Sequence, residues 1–163
     1  MSSGFKHVKP VVPAMKVPQP IALRKLVHLQ GKVMRATLKR LKQRPPRDLD
    51  EQFEKLHEKA FKQIDCLDCG NCCKTTSPML FEKDIERLST RFKLKPGDFV
   101  TQYLEIDTDG LYAIKGAPCP FLGDDNACSV YEDRPKACRE YPHTNHRKMH
   151  THLALAHHNI EIC

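Results

Sequence analysis

Four cysteines lie within eight residues of one another near the middle of the chain: Cys66, Cys69, Cys72 and Cys73. Spacers of two residues let consecutive thiolates converge on one centre in a tight turn, and Gly70 permits the positive φ that such turns often need. Runs of cysteines with two-residue spacers hold iron–sulfur clusters, and paired C-x-x-C motifs hold zinc. The segment therefore predicts a metal site built from cysteine thiolates.

Four further cysteines follow downstream: Cys119, Cys128, Cys138 and Cys163. Cys72 and Cys73 are adjacent, and neighbouring side chains of an extended chain point to opposite sides. One of the pair can therefore serve a first centre and the other a second, or only one of them is a ligand. We favour two centres, but the sequence leaves the partition of ligands open. Cys163 is the weakest candidate, because a terminal residue is prone to fray.

Other uses of these thiols are weaker interpretations. An isolated cysteine is often a small buried hydrophobe, but four in eight residues do not fit that explanation. A redox-active C-x-x-C needs a thioredoxin-like βαβ context, which the sequence around Cys66 lacks.

Residues 1–20 are polar, contain four prolines and lack the apolar core of a secretory signal. We therefore expect a cytoplasmic protein, in which reduced thiols favour metal over disulfides.

The net charge of +7 is divided unevenly along the chain. Residues 1–48 carry 12 Lys/Arg and one acidic residue, whereas residues 49–163 carry 15 Lys/Arg and 19 acidic residues. We therefore divide the chain into a basic, Pro-rich arm, residues 1–47, and a cysteine-cluster metal-binding domain, residues 48–163. No stretch approaches the roughly 20 apolar residues of a transmembrane helix.

Hydrophobic periodicity predicts the elements that position these residues. Helical spacing indicates an amphipathic helix from Ile21 to about Lys42, interrupted by Gly31, and further helices over 48–64, 82–92, 96–104 and 149–158. Asp48 and Glu51 have the spacing of a capping box. Asp107 to Gly110 predicts the turn of a β-hairpin within 105–115. We expect an α+β fold, mostly helical, with a small β-hairpin and long Cys-rich loops ordered by metal.

The ordered motifs of the C-terminal part resemble a known family. They are C-x-x-C-x-x-C-C at 66–73, Pro118-Cys119-Pro120-Phe121-Leu122, Cys128, Tyr131-Glu132-Asp133-Arg134-Pro135, Cys138 and Tyr141-Pro142. This combination, over roughly residues 60–163, is similar to the YkgJ-like CxxCxxCC cysteine-cluster family of zinc- or iron-chelating domains. The resemblance implies metal binding through the cysteines. It implies no reaction, and it does not extend to the basic arm.

Cationic and imidazole side chains surround the final cysteines. Arg134 and Arg139 flank Cys138, where a guanidinium beside a cofactor would offset the charge of several thiolates; a surface ion pair with Asp133 or Glu140 is the alternative. Six histidines lie between 143 and 158: His143, His146, His150, His152, His157 and His158. Imidazole suits zinc and iron, so one of them could replace a missing thiolate, although solvated side chains are the default interpretation.

Three functions remain open at this stage. We favour a metal-binding protein with cysteine-ligated iron–sulfur centres, with zinc as the alternative metal. The second hypothesis is an iron–sulfur-dependent redox or modification enzyme, which would need an open coordination position or a cleft. The third is a structural zinc domain whose basic arm contacts nucleic acid. The arm's helix could instead pack on the domain or a second protein copy, or lie on anionic lipid.

Overall fold

The computed structural model describes residues 20–163, so nearly all of the predicted Pro-rich extended segment, residues 1–20, lies outside the described residues. The helices in this range are α1 Pro20–Gln43, α2 Leu49–Phe61, α3 Cys66–Cys69, α4 Asn71–Thr75, α5 Glu82–Phe92, α6 Pro96–Tyr103, α7 Lys136–Glu140 and α8 Met149–Asn159. A short 3₁₀ helix spans Tyr131–Asp133. The predicted α+β, mostly helical class is confirmed.

A small antiparallel sheet contains the predicted hairpin. Its strands are β1 Met79–Leu80, β2 Leu104–Ile106 and β3 Tyr112–Ile114, in the order β1-β3-β2. The Asp107 carboxylate accepts hydrogen bonds from the backbone N–H groups of Asp109 and Leu111, which closes the turn between β2 and β3. β1 was not predicted, because a two-residue strand has no alternation to detect.

The capping box predicted at the start of α2 is wrong. Asp48 occupies the N-cap position, but its side chain makes no capping hydrogen bond to the backbone. It accepts instead from the amide of Gln52, at 2.8 Å. Glu51 pairs with Lys55 one turn further along α2. Both side chains therefore stabilise the helix through i, i+4 contacts on its exposed face.

The main core lies between the sheet and helices α5 and α6. Its buried residues are Leu80, Ile85, Leu88, Phe99, Leu104, Ile114, Phe121 and Val130. Cys119 and Cys128 pack against this cluster from the chain segment that follows the sheet. The core thus supplies a rigid wall on which the downstream cysteines are carried.

A second, smaller core joins α1, α2 and α8. Leu49, Met149, Leu153 and Ala156 are buried in it, and Leu38 and Leu41 of α1 pack against them. The C-terminal half of α1 is therefore attached to the domain, while Leu29 and Val33 nearer its start are largely exposed. Within residues 20–163, none of the helices combines the length and the apolar character needed to cross a membrane.

Candidate metal centre

The first four cysteines lie on two consecutive short helices rather than in an irregular loop. The Asp65 carboxylate caps α3 by accepting the N–H of Leu67 at 2.9 Å. Gly70, at φ 57°, ends α3 in the left-handed conformation and also caps α4. Its N–H donates to the carbonyl of Cys66 at 2.8 Å. The chain therefore reverses at Gly70, so that thiols on both sides of it can face a common space.

Cys119 and Cys128 stand at the two ends of a compact loop that is joined to the first cysteines. The N–H of Cys119 donates to the carbonyl of Cys73 at 2.8 Å. Leu122 forms an isolated antiparallel bridge with Cys128, which brings the far end of the loop back beside its start. The long Cys-rich segment thus has its own backbone hydrogen bonds, in addition to any order that metal confers.

Cys138 is positioned by α7, and α7 is fixed to α5 by a buried carboxylate. Asp84, 2% exposed, accepts the N–H of Lys136 at 3.1 Å, the guanidinium of Arg87 at 2.6 Å and the N–H of Phe81 at 3.2 Å. These contacts satisfy the buried charge. They also place the beginning of α7, two residues before Cys138, against the body of the domain.

Six of the eight cysteines line one cavity of about 430 Å³: Cys66, Cys72, Cys73, Cys119, Cys128 and Cys138. Arg134, Tyr131, Tyr141 and His143 also line it. All eight cysteines are free thiols. Cys69 and Cys163 do not belong to the lining, although Cys163 is close enough for its charge to act on Cys72. The structure thus brings together most of the predicted ligands around one cavity.

The first group of thiols comprises Cys73, Cys119, Cys128 and Cys138. Burial, followed by the charges of Cys73, Cys119 and Cys128, raises the pKa of Cys138 to about 12. Burial also raises the pKa values of Cys119 and Cys128, and in each case the charge of Cys73 acts in the same direction. Because these effects fall off with distance, we group these four thiols together, although the charge of Cys73 also reaches Cys66.

The second group comprises Cys66, Cys69, Cys72 and the terminal Cys163. Although Cys163 is an exposed residue as a whole, burial around its sulfur, followed by the charges of Cys66 and Cys69, raises its pKa to about 11. The amide of Asn71 donates to the carbonyl of Ile162 at 2.8 Å. That contact holds the end of the chain beside the first cysteines, against the fraying expected from the sequence.

The adjacent pair connects the two groups. The sulfurs of Cys72 and Cys73 are 4.0 Å apart. A hydrogen bond between the two sulfurs raises the pKa of Cys72 and lowers that of Cys73. The charges of Cys66 and Cys163 also act on Cys72, and the charge of Cys73 acts on the downstream thiols and on Cys66. The pair therefore lies where the two groups meet.

The two flanking arginines occupy different places. Arg134 lines the cavity, and its charge lowers the pKa values of Cys66, Cys73 and Cys138 against the larger effect of burial. Its guanidinium stacks 3.5 Å above the ring of Tyr131. Arg139 instead donates to the backbone carbonyl of Arg134 and is exposed. Arg134 therefore supplies the positive charge at the thiols, and Arg139 fixes the backbone that carries it.

Tyr141, which belongs to the Tyr141-Pro142 motif, also lines the cavity. Among the described residues, the buried hydroxyl of Tyr141 has no hydrogen-bond partner. Burial, followed by the charges of Cys72 and Cys163, raises its pKa. A buried hydroxyl without a protein partner fits a centre that can accept its hydrogen bond.

Three of the predicted histidines, His143, His146 and His152, form a cluster, and His143 and His158 also line the cysteine cavity. Nδ1 of His143 lies 3.0 Å from Nε2 of His146, and the ring of His152 stacks on that of His146 at 4.5 Å. Burial, followed by the charge of His146, lowers the pKa of His143. In residues 20–163, the one set of three metal-binding side chains with donor atoms within 4.8 Å of one another is Glu140, His143 and His146.

Comparison with known protein families gives one match to this region. The family model CxxCxxCC, described as a "putative zinc- or iron-chelating domain", matches residues 65–156, more than half of the chain. The matched range includes seven of the eight cysteines and ends before Cys163. No curated protein and no solved structure matches the sequence.

Proposed function

Because this chain belongs to the CxxCxxCC family of zinc- or iron-chelating domains, we propose that its cysteines hold two metal centres and that both are iron–sulfur clusters. The proposal is supported by eight free thiols, six of which line one cavity, and by the adjacent sulfurs of Cys72 and Cys73, which lie 4.0 Å apart. Four thiolates are the usual complement of a [2Fe–2S] or [4Fe–4S] cluster.

The proposed ligands follow from the two groups. Cys73, Cys119, Cys128 and Cys138 would hold the first centre, inside the cavity. Cys66, Cys69, Cys72 and Cys163 would hold the second, on the side of the cavity that Cys66 and Cys72 line. Arg134, whose charge acts on Cys66 as well as on Cys73 and Cys138, would offset the negative charge of both centres, and the Tyr141 hydroxyl would donate to the second.

The ligand type and the spacing support clusters over single zinc ions. Runs of cysteines with two-residue spacers hold iron–sulfur clusters, and soft thiolates are suitable ligands for them. Residues 66–73 have this spacing, and further thiols line the same cavity. Iron–sulfur clusters would supply one-electron transfer when bound.

The two ligand sets also suggest how the centres would be used. Cys72 and Cys73 are consecutive residues, and each would belong to a different centre. Two clusters joined by one peptide bond and by sulfurs 4.0 Å apart would exchange electrons readily. We accordingly assign the protein to electron transfer rather than to metal storage, which would need neither a buried setting nor paired centres.

Anaerobic purification of the full chain tests this proposal. Visible absorption, iron and acid-labile sulfide should appear together, with enough of both for two clusters per chain. Colourless protein with stoichiometric zinc and no iron would replace this function with a structural zinc site. Thiols linked as disulfides in material prepared under reducing conditions would remove both metals from consideration.

A second candidate concerns the basic surface of α1. Arg24, Lys25, Lys32, Arg35, Lys39, Arg40 and Lys42 are all exposed on this helix. Such a row of cations suits a phosphate backbone. Deleting the arm would also remove Leu38 and Leu41 from the second core. Substituting Lys25, Lys32 and Lys39 with Gln is therefore the better test. If the proposal holds, the substituted protein should bind RNA or DNA more weakly, and its binding should depend less steeply on salt concentration.

A further inference from the structure

Three side chains outside the two cysteine groups converge between α7 and α8. One donor atom each from Glu140, His143 and His146 lies within 4.8 Å of the other two, and all three residues are half-buried. We propose that they form a third metal site, for a single divalent first-row ion such as Zn²⁺, Co²⁺ or Ni²⁺. Its ligand chemistry differs from that of the cysteine centres, although His143 also lines their cavity.

The three side chains form a ligand set that suits a divalent ion. Two imidazoles and one carboxylate hold zinc in many proteins and leave a fourth position open for water. Imidazole nitrogen suits zinc, nickel, cobalt and copper, whereas thiolates suit softer ions and iron–sulfur clusters. Glu140, His143 and His146 would therefore select an ion by different chemistry from that of the eight cysteines.

The two ring nitrogens already have nearly the separation that one bound ion requires. Two nitrogens bound at 2.0–2.1 Å to one tetrahedral ion stand about 3.3 Å apart. Nδ1 of His143 and Nε2 of His146 are already 3.0 Å apart, so a shift of a few tenths of an ångström would admit the ion. Oε1 of Glu140 stands 3.7 Å from Nζ of Lys136, at the surface. A contact that long and that solvated is easily exchanged for a metal ion.

Contacts with the neighbouring helices α2 and α8 fix the chain segment that carries His143 and His146. Oγ1 of Thr144, which lies between the two histidines, is 2.8 Å from Nδ1 of His57 on α2. The buried amide of Asn159 on α8 donates to the carbonyl of Pro142 at 3.1 Å. These contacts fix the backbone on both sides of His143, as a preorganised site requires.

The test uses the full chain with its cysteine centres loaded, to which Co²⁺ alone is added. We expect one further equivalent to bind, with the weak visible bands of nitrogen and oxygen ligation. Cobalt at thiolates would instead give intense sulfur-to-metal charge transfer, so binding at a cysteine centre is recognised separately. A failure of the iron–sulfur proposal would change the metal in the cysteine centres and leave this added equivalent unaffected.

Variants decide whether the additional ion is at this site. His143→Ala, His146→Ala and Glu140→Gln should each weaken its binding by at least the roughly 10- to 100-fold seen when the surroundings of a metal site are disturbed. His28→Ala, which removes an exposed imidazole from α1, should have no effect. Glu140→Gln keeps the size of the side chain, so it guards against simple misfolding, which circular dichroism would also report. Absence of a further equivalent, or equal binding by all variants, would overturn the proposal.

Discussion

The sulfurs of Cys72 and Cys73 lie 4.0 Å apart, where the N–H of Cys119 meets the carbonyl of Cys73 and the charge of Cys163 acts on Cys72. Consecutive residues on the short helix α4 point in different directions, since each residue turns the chain by about 100°. A direction change of this size sends one side chain towards the loop that carries Cys119 and Cys128, and the other towards the end of the chain. The adjacency is therefore the geometric origin of the two proposed centres.

Single substitutions of this pair should remove different centres. We expect Cys73→Ser to lose the iron of the first centre and Cys72→Ser to lose that of the second, each leaving about half of the metal. Iron and sulfide analysis of the two variants, with absorption or electron paramagnetic resonance spectra, would measure this. Identical spectra from both variants, or complete metal loss in only one, would contradict the division into two groups.

Gly70 should tolerate no side chain. A Cβ at this position would lie 3.0 Å from Oδ1 of Asn126, and φ is 57°. Gly70→Ala therefore combines a close contact with left-handed backbone strain, which by itself costs about 1 kcal/mol. We expect loss of metal together with a lower unfolding free energy, measured by denaturant titration.

Two other glycines separate these effects. Gly110 has φ 78° with nothing near its Cβ position, and Gly97 has neither a positive φ nor a neighbour. Gly110→Ala should lower the free energy of unfolding only by the left-handed backbone strain, and the protein should keep its full metal content. Gly97→Ala, in a helix, should be neutral or stabilise by about 0.4–1 kcal/mol. If Gly110→Ala lost as much metal as Gly70→Ala, the contact with Asn126 would not be the cause.

The buried carboxylate of Asp84 should link stability to the first centre. Asp84→Ala removes acceptors from Arg87, Lys136 and Phe81. Arg87 remains about one third exposed. We therefore expect the free energy of unfolding to fall by about 2–3 kcal/mol, near the lower end for a broken buried ion pair. Without the bond to Lys136, α7 should no longer hold Cys138 in place, so the first centre should be lost before the second. Glu86→Ala, on the exposed side of the same helix, is the matched control.

Local patterns sufficed for much of this fold, but not for the grouping of its ligands. The helix over Glu82–Phe92 and the hairpin turn at Asp107 depend on spacing within a few residues, so the sequence predicted both. The place of Cys163 depends on the contact between Asn71 and Ile162, across 91 positions. No periodicity encodes such a contact. The sequence therefore indicated which residues could bind metal, while the assignment of each thiol to a group needed the folded chain.

Asp50 should give the domain a specific acid sensitivity. Its carboxylate accepts the N–H groups of Met149 and Lys148 at the start of α8, and these bonds, aided by the charges of His150 and His152, lower its pKa from 3.8. The folded pKa is below the unfolded one, so the stabilisation is present above pH 3.8 and is lost as pH falls through the folded pKa.

Asp50→Asn is the neutral mimic for this test. Urea titrations should find it less stable than the unmodified chain at neutral pH, and the difference should shrink below pH 3.8. Metal release in acid affects both proteins alike, so the difference isolates Asp50. Asp109→Asn, an exposed carboxylate in the β2–β3 turn, should show no such trend. A difference that stayed constant with pH would mean that hydrogen bonding geometry, and not charge, accounts for the effect.

Arg134 and Arg139 should differ in their effect on metal, although they flank the same cysteine. Only Arg134 lines the cavity and lowers the pKa of nearby thiols. Arg134→Gln should therefore speed metal release to a chelator and weaken metal binding by about 10- to 100-fold, whereas Arg139→Gln should have a smaller effect.

Arg134 also stacks on Tyr131, so lost packing is a competing cause. Arg134→Lys separates the two, because it keeps the charge and loses the planar fork. Recovery of binding in the lysine variant would assign the effect to charge, and equal loss in both variants would assign it to packing.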